Sequence, residues 1–507
     1  MRRHRKTDLG RHEKSDKPFY GYEAMLFNSL TFAVFFLIVF IGYYIVAWRV
    51  RWIWLLVVSA IFYMWSRPAL IIVPVLIALV GYVAGIQLDR CKNQRKKRLI
   101  LLSSICIFVG TMVFYKYTNF FSNTIFSAIN IFKIKIFGSP AFYHNPFLIT
   151  VLVPLGLSYI TFQVMGYLIE IYRGNTRPEK HLGLFSAYLM FFPKVISGPI
   201  ERAHHFLPQL KAEIKFDPYI VSQGLKLMLW GFIKKLVIAD RLVIYVNDVF
   251  PNMHNHNGKT LLLASVFSTI QMYADFSGYT DIALGLSKML GFDIIQNFNR
   301  PFFATTISEF WRKWHISLST WFADYVYTPL AIANREWGVW SVVFSSMVTF
   351  IILGLWHGAN WTFIVFGALQ GIMLSLEFTT RKIRKKIGKK IPAIFTTGFG
   401  IVYVFSIFSL SLIFFRSDSI KDALYIIAKI LHFDGAFYIG MPSQMVFSIF
   451  GIVTLLLIES KMEFKLVPFS FLNNKRFAVR FFTYLILVLY VLLFSVFDGG
   501  QFVYFRF

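Results

Sequence analysis

Apolar residues run along this chain in long blocks separated by short polar stretches. Most blocks are about as long as a bilayer crossing, roughly 20 residues of helix. They centre near 28–47, 52–66, 69–88, 99–121, 148–169, 223–246, 260–290, 340–355, 359–378, 393–415, 445–459 and 478–497. The pattern predicts an all-α polytopic membrane protein with about 10–12 transmembrane helices. From about Pro178 to Trp340 the blocks are broken by Pro193, Gly198, Pro199, Pro208, Pro218, Gly278, Pro301 and Pro329. Irregular backbone at membrane depth persists only where protein or a wet cavity satisfies its polar groups. This third of the chain therefore predicts re-entrant and tilted helices around a central tunnel. Within it, Phe310, Trp314, Leu318, Trp321 and Tyr325 fall near one helical stripe. That spacing predicts a single amphipathic, interfacial helix over 309–326, with His315 near the boundary of membrane and water.

Residues 1–24 are basic, polar and aperiodic, and predict a disordered tail. Residues 25–507 read as one membrane domain, with no internal repeat or large soluble insertion. The first apolar run is long and lacks a small-residue cleavage site, so it is expected to remain as an anchor.

Composition agrees with the pattern: 57% of residues are hydrophobic and only 15% charged, far from the balance of an ordinary soluble domain. A net charge of +27 would suit a nucleic-acid binder, but its distribution excludes that reading. Basic residues gather in short loops, notably 89–98 and 381–390, which is the positive-inside arrangement. Both loops are expected on the cytoplasmic side, against anionic membrane lipids. The two cysteines, Cys91 and Cys106, are too few and too differently placed for a disulfide framework or a zinc site. No metal and no tightly bound cofactor is expected.

Against this background two histidines carry the chemistry. A titratable imidazole at membrane depth is costly and is a candidate for function. No other histidine or acidic residue lies between Trp337 and Ser375, where His357 sits in Leu355-Trp356-His357-Gly358-Ala359-Asn360-Trp361. A neutral imidazole there could take a proton from an attacking hydroxyl. Asn360 could orient the ring or donate to a developing oxyanion. His315, in Trp311-Arg312-Lys313-Trp314-His315, could supply a second hydrogen bond or bind a donor. His204 and His205 read as loop residues. Asp275 and Asp281 flank Phe276-Ser277-Gly278-Tyr279-Thr280; the favoured reading is a helix interruption at Gly278 whose backbone is capped by Ser277 and the carboxylates. The rival reading puts the carboxylates on the tunnel wall, holding His315. Arg300, Arg312 and Lys313 could grip donor phosphates, though positive-inside anchoring accounts for them equally well.

Several runs occur together in a fixed order: Gln271 to Ala283, Gln296-Asn297-Phe298-Asn299-Arg300-Pro301-Phe302, Phe310 to Leu318, and Leu355 to Trp361. Pro154 to Gln163, Ser197 to Arg202, Gly231 to Asp240, Phe414-Phe415-Arg416-Ser417 and Gly499-Gly500-Gln501-Phe502 join the set. In these the chain resembles the membrane-bound O-acyltransferases, and in particular their bacterial alginate O-acetyltransferase branch. The resemblance implies that fold, with His357 as catalytic histidine and His315 as a second active-site histidine. Asn299, Trp314 and Trp356, which lie in the same motifs, become candidates for binding or orienting substrate. It further implies a bacterial inner-membrane enzyme using an acyl thioester, acetyl-CoA first among donors. The acceptor would be a surface polysaccharide, and a periplasmic or extracellular serine-hydrolase-like partner would complete the transfer. The chain has neither a Gly-x-Ser-x-Gly elbow nor a His-x-x-x-x-Asp motif, so a soluble hydrolase mechanism within it is not expected. It departs from the family pattern at Ala323-Asp324-Tyr325 and at Pro329-Leu330-Ala331-Ile332-Ala333-Asn334-Arg335, which bears on partner docking and acceptor choice. D-alanyl transfer to teichoic acid and peptidoglycan O-acetylation stand as alternatives on the same scaffold. A polysaccharide or lipid transporter and a structural export subunit are the alternatives outside the class.

Overall fold

A computed structural model describes residues 25–66, 68–137, 145–149, 152–464 and 474–496. The tail expected over 1–24 and the terminal Gly499-Gly500-Gln501-Phe502 run lie outside the described residues. Among the described residues all regular structure is helical, and helix covers at least part of every apolar block. Among the described residues, seven helices are long and apolar enough to cross a membrane: Pro68–Arg90, Gln94–Ile136, Val339–His357, Trp361–Thr379, Ala393–Arg416, Pro442–Glu463 and Phe477–Phe494; Leu30–Ile45 is a shorter apolar helix. The number is below the 10–12 expected because several other blocks form helices that are short or carry polar groups. Gly258–Met289 is the extreme case, 32 residues of which most are buried. A helix walled in by protein need not be apolar all round, since its polar groups find partners inside.

That central helix organises the fold. Pro218–Phe232 packs along it, and the two backbones meet at glycines. A Cβ on Gly285 would lie 2.6 Å from the Gly224 carbonyl oxygen, and one on Gly278 would lie 2.8 Å from that of Gly231. The helix therefore runs unbroken through Gly278, against the interruption expected there; close helix crossing, not a break, is what this glycine serves. Asp275 and Asp281 are not caps either. Asp275 pairs with Lys235 at 2.6 Å and Asp281 with Lys234 at 2.5 Å, while the Lys234 ammonium also donates to the Ser277 hydroxyl. Both lysines lie on the π-helical stretch Ile233–Ala239. Lys235 also pairs with Asp240 at 2.8 Å. Paired so, the two carboxylates hold the central helix to its neighbour.

Residues 309–326 form no single helix. Ile307–Lys313 ends at Trp314, His315 takes left-handed backbone angles (φ 42°, ψ 55°), and a new helix, Ile316–Phe322, begins. The segment's apolar stripe is packed in protein: Phe310, Trp314, Leu318, Trp321 and His315 are all buried. The aromatic stripe has protein on both sides. Phe310 and Trp314 lie 4.3 and 4.8 Å, ring to ring, from Phe408 of Ala393–Arg416, and Trp321 stacks on Phe162 of Leu157–Arg173 at 4.2 Å. His204 and His205 belong to the short helix Ala203–Lys211 and not to a loop.

Candidate active site

His357 is the last residue of the helix Val339–His357, and the chain returns after three residues in Trp361–Thr379. The two helices interlock at small residues: a Cβ on Gly354 would stand 2.2 Å from the Phe363 carbonyl oxygen, and one on Gly367 2.1 Å from that of Phe350. Gly358, which ends the first helix, is extended (φ −164°) and needs no unusual backbone freedom. It must lack a side chain because a Cβ would stand 2.0 Å from the Phe363 ring. His357 is buried, with Phe415 at 5.2 Å and Phe366 at 6.2 Å between ring centroids.

His315 reaches the same place from the other side. Its left-handed turn is fastened by the preceding loop: Ile316 donates its N–H to the Asn297 carbonyl (2.9 Å), Ser317 donates to the Asn297 side chain (3.2 Å), and Asn299 donates to the Lys313 carbonyl (3.0 Å). A non-glycine residue in that region is uncommon and is held there by its surroundings. Phe276 of the central helix lies edge-on to the ring at 4.8 Å and Tyr159 stacks at 6.4 Å. Burial holds this imidazole well below the usual histidine range, at about 3, so it is neutral at physiological pH.

Trp356 stands between them, its ring 6.2 Å from that of His315 and 4.9 Å from that of His357. The indole N–H is buried and finds no hydrogen-bond partner among the described residues.

A cavity of about 1130 Å³ lies against the two segments that carry these histidines. From the histidine helix it is lined by Ser346, Thr349, Phe350 and Leu353, spaced so that His357 is the next position of the same stripe. From the kinked segment it is lined by Trp311, Arg312, Ile316 and Ser319, which bracket His315. The hydroxyls of Ser346 and Thr349 are buried without partners among the described residues. Arg381, Arg384 and Lys385, together with Arg312, give the cavity a basic share, against Glu377 as its one acidic group. No group of three or more His, Cys, Asp or Glu residues suited to a metal occurs among the described residues.

The structure thus brings together His357, His315 and Trp356, places Arg312 on the cavity wall, and gives the other candidates partners of their own. Asn360 does not orient the imidazole: its carbonyl oxygen caps Thr362 (3.2 Å) and its amide donates to the Asp418 carbonyl (3.0 Å). Arg300 is paired with Glu463 at 2.7 Å, and Lys313 with Glu463 and Glu309 at 2.6 and 2.9 Å, so neither is positioned to grip a donor. Trp314 is packed in the aromatic core, 5.1 Å from Phe298. Asn299 enters the site only through the backbone bond given above, while Asp275, Ser277 and Asp281 are engaged with Lys234 and Lys235. Two residues missed by sequence reasoning touch the histidine helix directly. Lys116 donates to the carbonyls of Trp356 (2.6 Å) and His357 (3.0 Å), and the Tyr117 hydroxyl donates to that of Leu355 (2.7 Å). The signal was available: Lys116 is the one charged residue between Arg98 and Lys133.

A helical membrane fold with two buried histidines, on the helix and the kinked segment that wall a partly basic cavity, is the setting of a membrane acyltransferase. The chain belongs to the membrane-bound O-acyltransferase family, whose model matches residues 181–416. It is 36% identical over 358 residues to a probable alginate O-acetylase of Pseudomonas putida, covering 70% of each chain. A peptidoglycan O-acetyltransferase of Helicobacter pylori is 28% identical over 449 residues, 81% of this chain and 80% of that one. A teichoic acid D-alanyltransferase of Streptococcus thermophilus is 31% identical over 289 residues, 52% of this chain and 68% of that one.

Proposed function

We propose that this acyltransferase moves an acetyl group from acetyl-CoA toward a cell-surface or exported polysaccharide in a bacterial inner membrane, with His357 as the base. The observation that carries this reading is the single stripe Ser346, Thr349/Phe350, Leu353, His357, whose first members line the cavity. Arg381, Arg384 and Lys385 suit the phosphates of a thioester donor. The buried hydroxyls of Ser346 and Thr349 suit the amides of its arm, and the aromatic inner end excludes water from the thioester.

In the reaction so proposed, the His357 imidazole takes the proton of an acceptor hydroxyl as its oxygen attacks the thioester carbonyl carbon. The tetrahedral oxyanion accepts a hydrogen bond from the Trp356 indole. The carbon–sulfur bond then breaks, and the proton held by His357 passes to the departing thiolate. His315, neutral and held by its turn, positions the acyl group or donates a second hydrogen bond. A serine-hydrolase-like partner outside the membrane would pass the acetyl group on to sugar.

The alginate O-acetylase relatives favour a polysaccharide acceptor. The teichoic acid D-alanyltransferase relative keeps a second reading open, D-alanyl transfer from a carrier-protein thioester. The test is the acetyl-ester content of surface polysaccharide from cells making wild-type protein or His357→Ala at equal membrane abundance. Loss on the order of 100-fold or more is expected for removal of a general base. Wild-type ester content in the variant would remove His357 from the mechanism, and D-alanyl ester in place of acetyl would reassign the donor.

A further inference from the structure

The histidine helix ends without the usual means of satisfying its last carbonyls. Gly358 is extended rather than left-handed, so no backbone turn folds back over the terminal carbonyl oxygens. Three of those oxygens are nonetheless satisfied, all from one remote turn. Lys116 bonds to the carbonyls of Trp356 and His357 and Tyr117 to that of Leu355. The Lys116 ammonium also lies 5.7 Å from the centre of the Trp356 ring. Among the described residues no carboxylate lies within ion-pair distance of Lys116. Its partners are the helix end and the indole.

The geometry of the donor turn fits this task. Residues Val113–Tyr117 form a single π-helical turn inside the long helix that begins at Gln94. Such a turn inserts a residue into the helix and is found most often where function requires it. Here it lets two consecutive side chains, Lys116 and Tyr117, reach one target. A cation is also the charge that the negative end of a helix dipole favours.

We propose that Lys116 is a positioning residue for the acyl transfer: its ammonium, assisted by the Tyr117 hydroxyl, caps the histidine helix and fixes the backbone of His357 and Trp356, just beyond the residues of that helix that line the cavity. The proposal rests on the reading of His357 as the base. Lys116 does not touch substrate; it acts through the residues it holds.

The test compares Lys116→Met, Lys116→Arg and His357→Ala in the full chain. The readouts are acetyl-ester formation on surface polysaccharide in cells labelled with acetate, normalised to membrane abundance, and the thermal midpoint of each purified protein. Met keeps the apolar stem and loses the donor. It is expected to slow ester formation on the order of 100-fold, the scale set by misplacing a catalytic group by about 1 Å, with only the fall of a few degrees in the midpoint that loss of a helix cap brings. Arg restores donors to the carbonyls and is expected to recover at least about tenfold of that loss. Wild-type rate in Lys116→Met beside an inactive His357→Ala would overturn the proposal and leave the base intact. Activity in His357→Ala would overturn the reading on which it rests. Equal loss in the Met and Arg variants, or loss matched by a collapse of folded protein in the membrane, would reduce Lys116 to a general structural group and overturn the proposal.

Discussion

Gly231 and Gly278 face each other where the helices Pro218–Phe232 and Gly258–Met289 cross, and a Cβ built on Gly278 would stand 2.8 Å from the Gly231 carbonyl oxygen and 3.1 Å from the Lys235 amide nitrogen. Both neighbours are backbone and cannot swing aside. Gly278→Ala must therefore push the helices apart at the level where Lys234 and Lys235 meet Asp281 and Asp275. Overpacking of this kind costs about 1–3 kcal/mol. The expected result is a lowered thermal midpoint and reduced folded protein in membranes. Gly398→Ala, where a new Cβ meets nothing within 4 Å, should leave both unchanged; equal behaviour of the two variants would show that the crossing tolerates a methyl group.

The ion pairs beside that crossing make a separate prediction. Lys235 is buried and bonded to both Asp275 and Asp240, so Lys235→Met leaves two carboxylates without their cation. Breaking a buried pair from one side typically costs about 3–5 kcal/mol. Adding Asp275→Asn to Lys235→Met should recover part of the loss, because one of the stranded charges is then removed. The readout is the thermal midpoint of the single and double variants. A double variant no more stable than the single would mean that the pair does not couple as the distances indicate.

What the sequence made legible follows from what its patterns record. The apolar blocks predicted helices because burial in lipid demands continuous apolar length, and His357 stood out because nothing else titratable lies near it in the chain. The kink at His315 was hidden because the stripe Phe310, Trp314, Leu318, Trp321 keeps helical spacing across the break. In a membrane protein an aromatic stripe fits a packed core as well as an interface. Asn360 misleads for a related reason: counting one turn on from His357 assumes that the helix continues, whereas it ends there, with Gly358 extended. Asp275 and Asp281 read as caps in the sequence because their partners, Lys234 and Lys235, lie some 40 residues away. Only the fold brings them together.

His205 and Glu201 give the molecule a pH-dependent contact outside the long apolar helices. The His205 Nδ1 lies 2.6 Å from a Glu201 carboxylate oxygen, and that hydrogen bond holds the imidazole above the usual histidine range of about 6.5. A group whose folded value is raised contributes stability that is fully present below its unfolded value and lost as pH rises through the folded one. The His205 side chain is 38% exposed, so solvent screening keeps the contribution at about 1 kcal/mol or less. Wild-type protein should thus lose a small part of its thermal midpoint between pH 6 and pH 8 that His205→Gln does not lose. Identical pH dependence in the two proteins would show that the imidazole does not charge against Glu201.

The cavity makes the donor itself testable. Arg381 and Lys385 line it and are exposed. Arg384, by contrast, donates to the Glu377 carbonyl at 2.7 Å and is partly committed to structure. If the exposed pair draws in a polyphosphorylated donor, its effect falls on encounter and binding and not on the chemical step. Arg381→Gln with Lys385→Gln is therefore expected to raise the apparent KM for acetyl-CoA by roughly two- to tenfold, the range of two exposed charge contacts, while kcat stays at the wild-type value. Raising ionic strength should erode the difference, since exposed charges are screened within about 10 Å at moderate salt. A carrier-protein donor would give the same sign but a steeper salt dependence, because more of its surface would meet the basic helix Arg381–Gly388. A fall in kcat at unchanged KM would place these two residues in the chemistry, contrary to their distance along the chain and their exposure, and would require the donor to enter by another route.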